Sequence, residues 1–221
     1  MSPSSRTGGE LLVECLSNLG VTTSFGVPGE SYLAVLDALY DADIKFTLCR
    51  HESAAGFAAA AYGKLTGAPG IGFVTRGPGA TNASIGVHTA MQDSSPMILF
   101  IGQVGVNDKG REAFQEVDYR AFFTPLAKWA TEIDNPDRIP EIISRAWHMA
   151  LSGRPGPVVV ALPEDMLTTL TESKPCQPVV IAEAGVDKDG LTQALEMLSA
   201  AENPLIIAGG GGWNAAGKKA L

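Results

Sequence analysis

Apolar residues recur along the chain in two alternating patterns, which predict helices and short buried strands. From residue 11 to 19, and again from 33 to 40, apolar residues fall three or four positions apart, as on one face of a helix. The Ala-rich run 52–65 is a strong helix former, with Gly67 just past its end. The same reasoning predicts helices over residues 80–91, 117–123 and 139–151.

Between these helices lie short apolar runs that lack the alternation of a half-exposed strand. They predict six strands, over residues 21–27, 44–49, 71–75, 97–101, 126–131 and 158–162. Short apolar strands separated by helices are typical of a parallel sheet that is covered on both faces. We therefore predict an α/β fold over residues 6–168, a doubly wound, six-stranded parallel sheet with helices on both faces.

The last quarter of the sequence has a different character. Residues 169–188 are rich in Pro, Gly and charged side chains and are predicted to be a linker. After them the pattern predicts a helix over 191–200, a strand over 205–208 and a glycine run at 209–212. Since one such unit cannot bury its own apolar face, we interpret residues 189–221 as the incomplete start of a second α/β domain.

Composition and charge narrow the classes of function. The 221 residues are 45% hydrophobic and 18% charged, which is typical of a folded domain rather than a disordered one. A net charge of −8 argues against nucleic acid as a partner. No apolar run approaches the roughly 18 residues of a membrane span, and the N-terminus lacks the apolar core of a secretion signal. Three cysteines far apart in the sequence suggest reduced thiols and a cytoplasmic protein.

Polar and glycine-rich turns follow four of the predicted strands. They occupy residues 26–30, 50–52, 76–82 and 102–103, the last continuing into 113–116. In an open parallel sheet, ligands bind beyond the carboxyl ends of the strands, where these turns must lie. For any single turn, Gly and Pro that merely form the connection are an equally good explanation. Four such turns on one edge together predict a binding site.

Glu52 is the candidate acid/base group of this edge. It occupies the first turn of a predicted helix, where a lone carboxylate most often serves as a cap. The residues that follow are almost all apolar, so we expect the helix to be buried and the carboxyl group to be poorly hydrated. Such a group suits proton exchange with a nitrogen atom of a ligand.

Two further patterns carry little information. The run Gly210, Gly211, Gly212 formally matches a dinucleotide-binding fingerprint, which leaves a flavin or nicotinamide binder as a minor alternative. The match is weak because four consecutive glycines satisfy it trivially. The three histidines and three cysteines have no metal-ligand spacing, so no metal site is predicted in this chain.

Six motifs, in this order, resemble the N-terminal, pyrimidine-binding domain of thiamine-diphosphate enzymes, and acetolactate synthases most closely. They are FGVPG at 25–29, RHE at 50–52, TRGPGATN at 75–82, GQ at 102–103, AFQE at 113–116 and SGRPGPV at 152–158. The resemblance covers residues 8–167, and residues 203–216 resemble the start of the central domain of that family.

The resemblance implies roles for individual residues. Glu52 would be the catalytic glutamate, which hydrogen-bonds N1′ of the aminopyrimidine so that the cofactor can lose its thiazolium C2 proton. The resemblance also places Phe114 and Gln115 near the substrate, and it matches Arg154 to an arginine that contacts FAD in flavin-containing members. Whether the protein binds FAD is left open. The residues that it places around the pyrimidine are Pro28, Gly29, Thr75, Gly77 and Asn82.

The activity that the resemblance implies is decarboxylation of a 2-keto acid and transfer of the carbanion to a carbonyl, by a homodimer or tetramer. The family holds the diphosphate and Mg²⁺ with a Gly-Asp-Gly motif, which this sequence lacks. We therefore expect the chain alone to be inactive and to bind the cofactor weakly or not at all. A non-catalytic α/β binding module derived from the family is the alternative. The sequence departs from acetolactate synthases at Glu30, usually a Gly, and in residues 104–109, which lack arginine.

Overall fold

The computed structural model of the chain describes residues 5–178, 180–182, 184–209, 213 and 215–221. It divides into two compact units, Met1–Ile181 and Ala182–Leu221. The helices in the described part of the chain fall short of the length and apolarity that a membrane crossing requires.

The first unit is built on a parallel sheet of six strands. They are β2 (Thr23–Gly26), β3 (Lys45–Leu48), β4 (Gly70–Val74), β5 (Met97–Gln103), β6 (Trp129–Glu132) and β7 (Pro157–Pro163). Their order across the sheet is β3-β2-β4-β5-β7-β6, and every neighbouring pair is parallel. The predicted six-stranded parallel sheet is confirmed.

Seven helices of this unit connect the strands and cover the sheet. They are α1 (Gly8–Asn18), α2 (Leu33–Tyr40), α3 (Glu52–Thr66), α4 (Gly77–Asp93), α5 (Tyr119–Phe123), α6 (Ile139–Leu151) and α7 (Glu164–Thr168). Each helix that the sequence predicts in this unit is present, with ends that differ by a few residues at most.

Two apolar cores lie on opposite faces of the sheet, because successive side chains of a strand point to opposite sides. On β5, Ile98 and Phe100 join the core under α1, α2 and α6. Leu99 and Ile101 alternate with them and join the core under α3, α4 and α5. All four side chains are fully buried. A strand that is buried on both faces must read as a continuous apolar run, which is the pattern in the sequence.

The segment predicted to be a linker begins in contact with the first unit. Strand β8 (Leu170–Thr171) pairs antiparallel with β1 (Arg6–Thr7), a two-residue pairing that the apolar pattern does not reveal. Further along, Cys176 is buried, and the first unit extends to Ile181. The domain limits drawn from the sequence remain predictions.

The second unit contains α8 (Lys188–Ala200) and α9 (Ala215–Ala220). The helix predicted over 191–200 is present within α8. The strand predicted over 205–208 does not form, and Leu205 and Ile207 are exposed. A strand needs a neighbour to satisfy its backbone groups, and this segment has none in the described residues. The glycines at 210–212 lie outside the residues that the structure describes.

Candidate functional site

The candidate site is the edge of the sheet formed by the carboxyl ends of β2, β3, β4 and β5, hereafter the rim. Since these strands are parallel neighbours, the turns that follow them meet at this edge. The turn after β2 carries Pro28 and Gly29, α3 begins with Glu52 directly after β3, and β4 is followed by Thr75. The predicted clustering of these turns on one edge therefore agrees with the strand order.

Glu52 is held in place by Asn82, and part of its carboxylate is left open. The Asn82 side chain donates a hydrogen bond from Nδ2 to Glu52 Oε2 at 2.9 Å. No described residue donates a hydrogen bond to Glu52 Oε1, and a Cβ added at Gly79 would lie 3.5 Å from that atom. Glu52 is half-buried. One carboxylate oxygen is thus fixed by the protein while the other can meet a ligand.

The helix behind Glu52 is less buried than its apolar sequence suggests. The side of α3 that faces the sheet and α4 is buried, at Ala55, Gly56, Ala59, Ala60 and Gly63. The other side exposes Phe57 by 42% and Leu65 by 86%. An amphipathic pattern is missing because both sides are apolar, so the sequence could not reveal which side was open. The expectation of a buried helix therefore holds for one side of α3 and not for the other.

Two glycines bring Glu52 and Asn82 together by letting their helices touch. A Cβ at Gly86 of α4 would lie 2.5 Å from the carbonyl carbon of Gly56 in α3, far inside normal contact distance. Glu52 precedes Gly56 by four residues, and Asn82 precedes Gly86 by four residues, so each polar side chain lies one turn before the crossing. Backbone contact at the crossing therefore sets the spacing of the carboxylate and the amide.

The turns after β2 and β4 are fastened to each other. The hydroxyl groups of Ser31 and Thr75 form a hydrogen bond of 2.9 Å. A Cβ at Gly29 would lie 2.6 Å from Cβ of Thr75, so this position has no room for a side chain. Tyr32, buried just beyond, donates from its hydroxyl to the carbonyl oxygen of Val27 at 2.5 Å. Burial, and then the Glu52 carboxylate, raise the pKa of Tyr32, which keeps it a neutral donor.

The loop of residues 110–117 brings Gln115 to the rim by its backbone. The N–H of Gly77 donates to the carbonyl oxygen of Gln115 at 3.0 Å. Gln115 has a φ of 61°, in the left-handed region that is uncommon for residues other than glycine. The neighbouring Phe114 side chain is 70% exposed. The two candidate substrate residues thus lie beside the turn at Gly77, and the aromatic ring of Phe114 is exposed to solvent.

A buried arginine organises the rim and was missed as a site residue in the sequence. Arg76, whose side chain is 7% exposed, donates to Glu30 at 2.8 Å and to Glu164 at 2.7 Å. Burial acts to lower the pKa of Arg76, but the hydrogen bonds to Glu30 and Glu164 outweigh it and raise that pKa. Glu30, the departure from the family pattern, is therefore one of the two partners that neutralise a buried cation. Its proximity to Arg76, 46 positions away, had no signal in the sequence.

Arg154 does not lie at the rim. It precedes β7, at the amino ends of the strands, and its guanidinium group donates to the carbonyl oxygens of Met91 and Gln92 at 3.0 Å each. These are the last turn of α4, whose 17 residues span about 25 Å from the rim to the opposite edge. In this chain Arg154 caps a helix C-terminus, where a cation is favourable. The structure brings the other candidate residues to one edge and leaves this one apart.

Neither metal ligation nor the terminal glycines add to the site as described. In the ranges that the structure covers, no group of three or more His, Cys, Asp or Glu side chains is placed to hold a metal ion. The dinucleotide-like fingerprint falls on glycines outside those ranges, and it gains no structural support.

Comparison of the sequence with known proteins finds a matching family and several relatives. The sequence model of the family described as "Thiamine pyrophosphate enzyme, N-terminal TPP binding domain" matches residues 6–122. The acetolactate synthase isozyme 2 large subunit of Escherichia coli K12 is 38% identical over 204 residues, covering 92% of this chain and 37% of that protein. An acetolactate synthase of Bacillus subtilis is 36% identical over 203 residues, covering 91% and 36%. A probable acetolactate synthase large subunit of Methanocaldococcus jannaschii is 38% identical over 215 residues, covering 92% and 36%. The chain thus spans little more than a third of the length of these relatives.

Proposed function

The chain belongs to the thiamine pyrophosphate enzyme family, as its N-terminal TPP binding domain, and from this premise we propose that it is the pyrimidine-binding part of an acetolactate synthase-like enzyme. The complete enzyme would decarboxylate a 2-keto acid and transfer the resulting carbanion to a carbonyl. The observation that carries the proposal is the Glu52 carboxylate at the rim, fixed through one oxygen by Asn82 and open at the other.

The residues at the rim fit the pyrimidine half of thiamine diphosphate. A flat ring needs backbone that can approach it closely, and Gly79 supplies a position without a side chain next to Glu52 Oε1, whereas the side-chain space at Gly29 is filled by Thr75. A ring nitrogen needs a group with which to share a proton, and Glu52 Oε1 is available for it. Pro28, Gly77 and Asn82 complete the group of residues proposed to surround the ring.

The role of Glu52 follows from this arrangement. When bound, thiamine diphosphate supplies a carbon nucleophile that adds to the carbonyl of a 2-keto acid. Glu52 would hold a proton at the ring nitrogen N1′, and Asn82 would keep the carboxylate pointed at that nitrogen. The absence of a side chain at Gly79 would let the ring lie against the backbone there and exclude water. Phe114 and Gln115 are proposed to contact the substrate, since they border the same edge.

We propose that the diphosphate and Mg²⁺ are held by another part of the complete enzyme. The described residues offer no cluster of ligands for a metal, and the buried Arg76 is already paired with Glu30 and Glu164, so its guanidinium group is not free to hold a diphosphate. FAD, if it is a cofactor, would have to meet Arg154 at the opposite edge, where the arginine now caps α4. A cytoplasmic location remains a prediction, supported by three cysteines that are all free.

A second copy of the chain is the partner that we propose for the exposed side of α3 and α4. Residues 54, 57, 61 and 65 of α3 are exposed at helical spacing, and Ile85 of α4 is 51% exposed beside them. Apolar stripes of this kind mark interfaces. Ala59 and Ala60 do not belong to this stripe, because they are buried on the side of α3 that faces the sheet and α4. A homodimer or tetramer would cover the stripe and bury the start of α3.

The test uses the complete enzyme and the Glu52→Gln variant. If Glu52 shares a proton with the cofactor, the variant should lose about 10²–10⁴-fold in turnover of a 2-keto acid and in exchange of the cofactor C2 proton. Glu172→Gln, an equal change of charge at an exposed residue, should keep both rates. Unchanged exchange in Glu52→Gln would refute the role of Glu52.

The alternative of a non-catalytic module is tested separately. Calorimetric titration of thiamine diphosphate into the chain alone should show weak binding or none, because the diphosphate contacts are proposed to lie elsewhere. If the complete protein binds thiamine diphosphate with Mg²⁺ but turns over no 2-keto acid, the module is the better explanation. If it binds no thiamine diphosphate, the cofactor proposal fails as a whole.

A further inference from the structure

Two of the three cysteines, far apart in the sequence, lie side by side in the structure. Cys15 belongs to α1, and Cys176 lies 161 positions later in the segment after β8. The backbone N–H of Cys176 donates to Cys15 Sγ at 3.3 Å, and Cys176 Sγ donates to the carbonyl oxygen of Cys15 at 3.8 Å. Reduced thiols were expected, but their separation in the sequence hid this contact.

The pairing gives the two thiols different chemistry. Interaction with Cys15 lowers the pKa of Cys176 and, together with interaction with Ser144, outweighs the effect of burial, so that this pKa lies below that of an ordinary thiol. The pKa of Cys15 is raised, by interaction with Cys176, by burial and by the charge of Glu14. Near neutral pH, Cys176 is therefore the sulfur that can act as a nucleophile, with a protonated thiol beside it.

The position of Cys176 gives small molecules a route to the pair. Its side chain is 7% exposed, its neighbours Lys174 and Gln177 are exposed, and its segment lies outside the parallel sheet. Asn18 holds the segment by donating to the carbonyl oxygen of Cys176 at 3.1 Å. Both sulfurs belong to the edge of the core under α1, α2 and α6, so local opening of the segment around Cys176 is the step that would expose them. Cys49, which follows β3, hydrogen-bonds to the carbonyl oxygen of Thr47 and has no thiol partner among the described residues.

We infer that Cys15 and Cys176 are an oxidisable dithiol pair, which a peroxide converts into a disulfide between α1 and the segment leading to the second unit. The Cys176 thiolate attacks one oxygen of hydrogen peroxide, the O–O bond breaks, and Cys176 becomes a sulfenic acid while hydroxide leaves as water. The Cys15 sulfur then attacks the Cys176 sulfur, the S–O bond breaks, and a second water carries away the Cys15 proton. Two thiols lose two electrons, and one peroxide becomes two waters.

The disulfide would fix the exit of the chain from the first unit. In the reduced protein, residues 172–178 are held by hydrogen bonds at Ser173 and Cys176, without the backbone pairing of a helix or strand, so this segment is expected to open locally. A covalent bond at Cys176 would close a loop of about 160 residues and prevent that opening, an effect that grows with loop length. Reduction by a dithiol would restore the free segment.

The experiment treats the reduced chain, as wild type and as Cys49→Ser, with hydrogen peroxide across a range of pH. We expect Cys49→Ser to go from two titratable thiols to none, and mass spectrometry of a non-reduced digest to find the peptides of Cys15 and Cys176 joined. Dithiothreitol should return both thiols. The rate of disulfide formation should rise with pH to a plateau, with a midpoint below the pKa of an ordinary thiol, as the thiolate of Cys176 forms.

Matched variants separate pairing from simple oxidation. Cys15→Ser should leave Cys176 as a sulfenic acid or a more oxidised form, with no intramolecular disulfide, and circular dichroism should check that the variant is folded. The inference is overturned if wild type and Cys49→Ser keep both thiols while peroxide modifies Cys49 in the wild type. It is also overturned if the disulfide that forms joins Cys49 or two different molecules.

Discussion

The crossing of α3 and α4 supports a stability prediction whose sign is opposite to that of helix propensity. In the variant Gly86→Ala, a methyl group would lie 2.5 Å from the carbonyl carbon and 2.6 Å from the Cα of Gly56. Carbon atoms in contact normally stay about 3.5–4.0 Å apart, so the helices must separate by about 1 Å. Both obstructing atoms belong to the backbone, and no side-chain rotation can relieve the overlap.

The magnitude follows from two opposing effects. Replacing a helical Gly by Ala favours the folded state by about 0.5–1 kcal/mol. Overpacking in a rigid core costs about 1–3 kcal/mol, and a backbone obstruction places this variant in the upper half of that range. We therefore expect Gly86→Ala to lower the free energy of unfolding by about 1–2 kcal/mol. With a urea dependence of about 2 kcal/mol per M, the midpoint should fall by about 0.5–1 M.

The assay is urea unfolding followed by tryptophan fluorescence. Trp129 and Trp147 belong to the first unit, and replacing Trp213 by Phe removes the signal of the second. Ser84→Ala is the control, because it lies on the same helix, is half-buried and raises helix propensity without facing Gly56. It should stay within about 0.5 kcal/mol of the parent. A midpoint for Gly86→Ala that is unchanged or higher would show that the helices do not touch at this point.

Two further predictions concern charges. Glu164→Gln should lower the free energy of unfolding by about 1–2 kcal/mol in the same urea assay, because it leaves the buried Arg76 with one carboxylate partner. The loss is smaller than for a fully buried ion pair, because the Glu164 side chain is 44% exposed and water screens its charge. Lys64→Gln breaks the ion pair with Asp93, in which both side chains are exposed, and should change the free energy of unfolding by less than about 0.5 kcal/mol. If Glu164→Gln and Lys64→Gln lowered the free energy of unfolding equally, the argument from burial would be contradicted. Hydrogen bonds from Thr171 and Ser173 lower the pKa of Asp137 below 3.8, so the stability that they provide is complete above that pH and is lost as the pH falls through the folded-state pKa. Carboxyl carbon NMR should find the lowered pKa in the wild type and a higher one in Thr171→Val; the same value in both would rule out Thr171 as the main cause.

The exposed stripe on α3 illustrates what a sequence pattern leaves open. The run 54–61 predicts a helix, because six of its eight residues are Ala, the strongest helix former. It does not say which side meets the sheet, since small apolar residues occupy both sides. Burial of Gly56 and exposure of Phe57 are decided by the contact with α4, which is a property of the folded chain.

By itself, the order of apolar runs determined the helices, the strands and the parallel sheet, because burial on both faces leaves a continuous apolar strand and each crossover needs a helix. It also placed Glu52 at the carboxyl end of a strand, since that follows from the order of elements alone. Only the tertiary structure decided that Asn82 meets Glu52, that Arg76 joins Glu30 to Glu164, and that Cys15 touches Cys176. These pairs are 30 to 161 positions apart, and such contacts depend on how strands order themselves and helices cross, which no local pattern encodes.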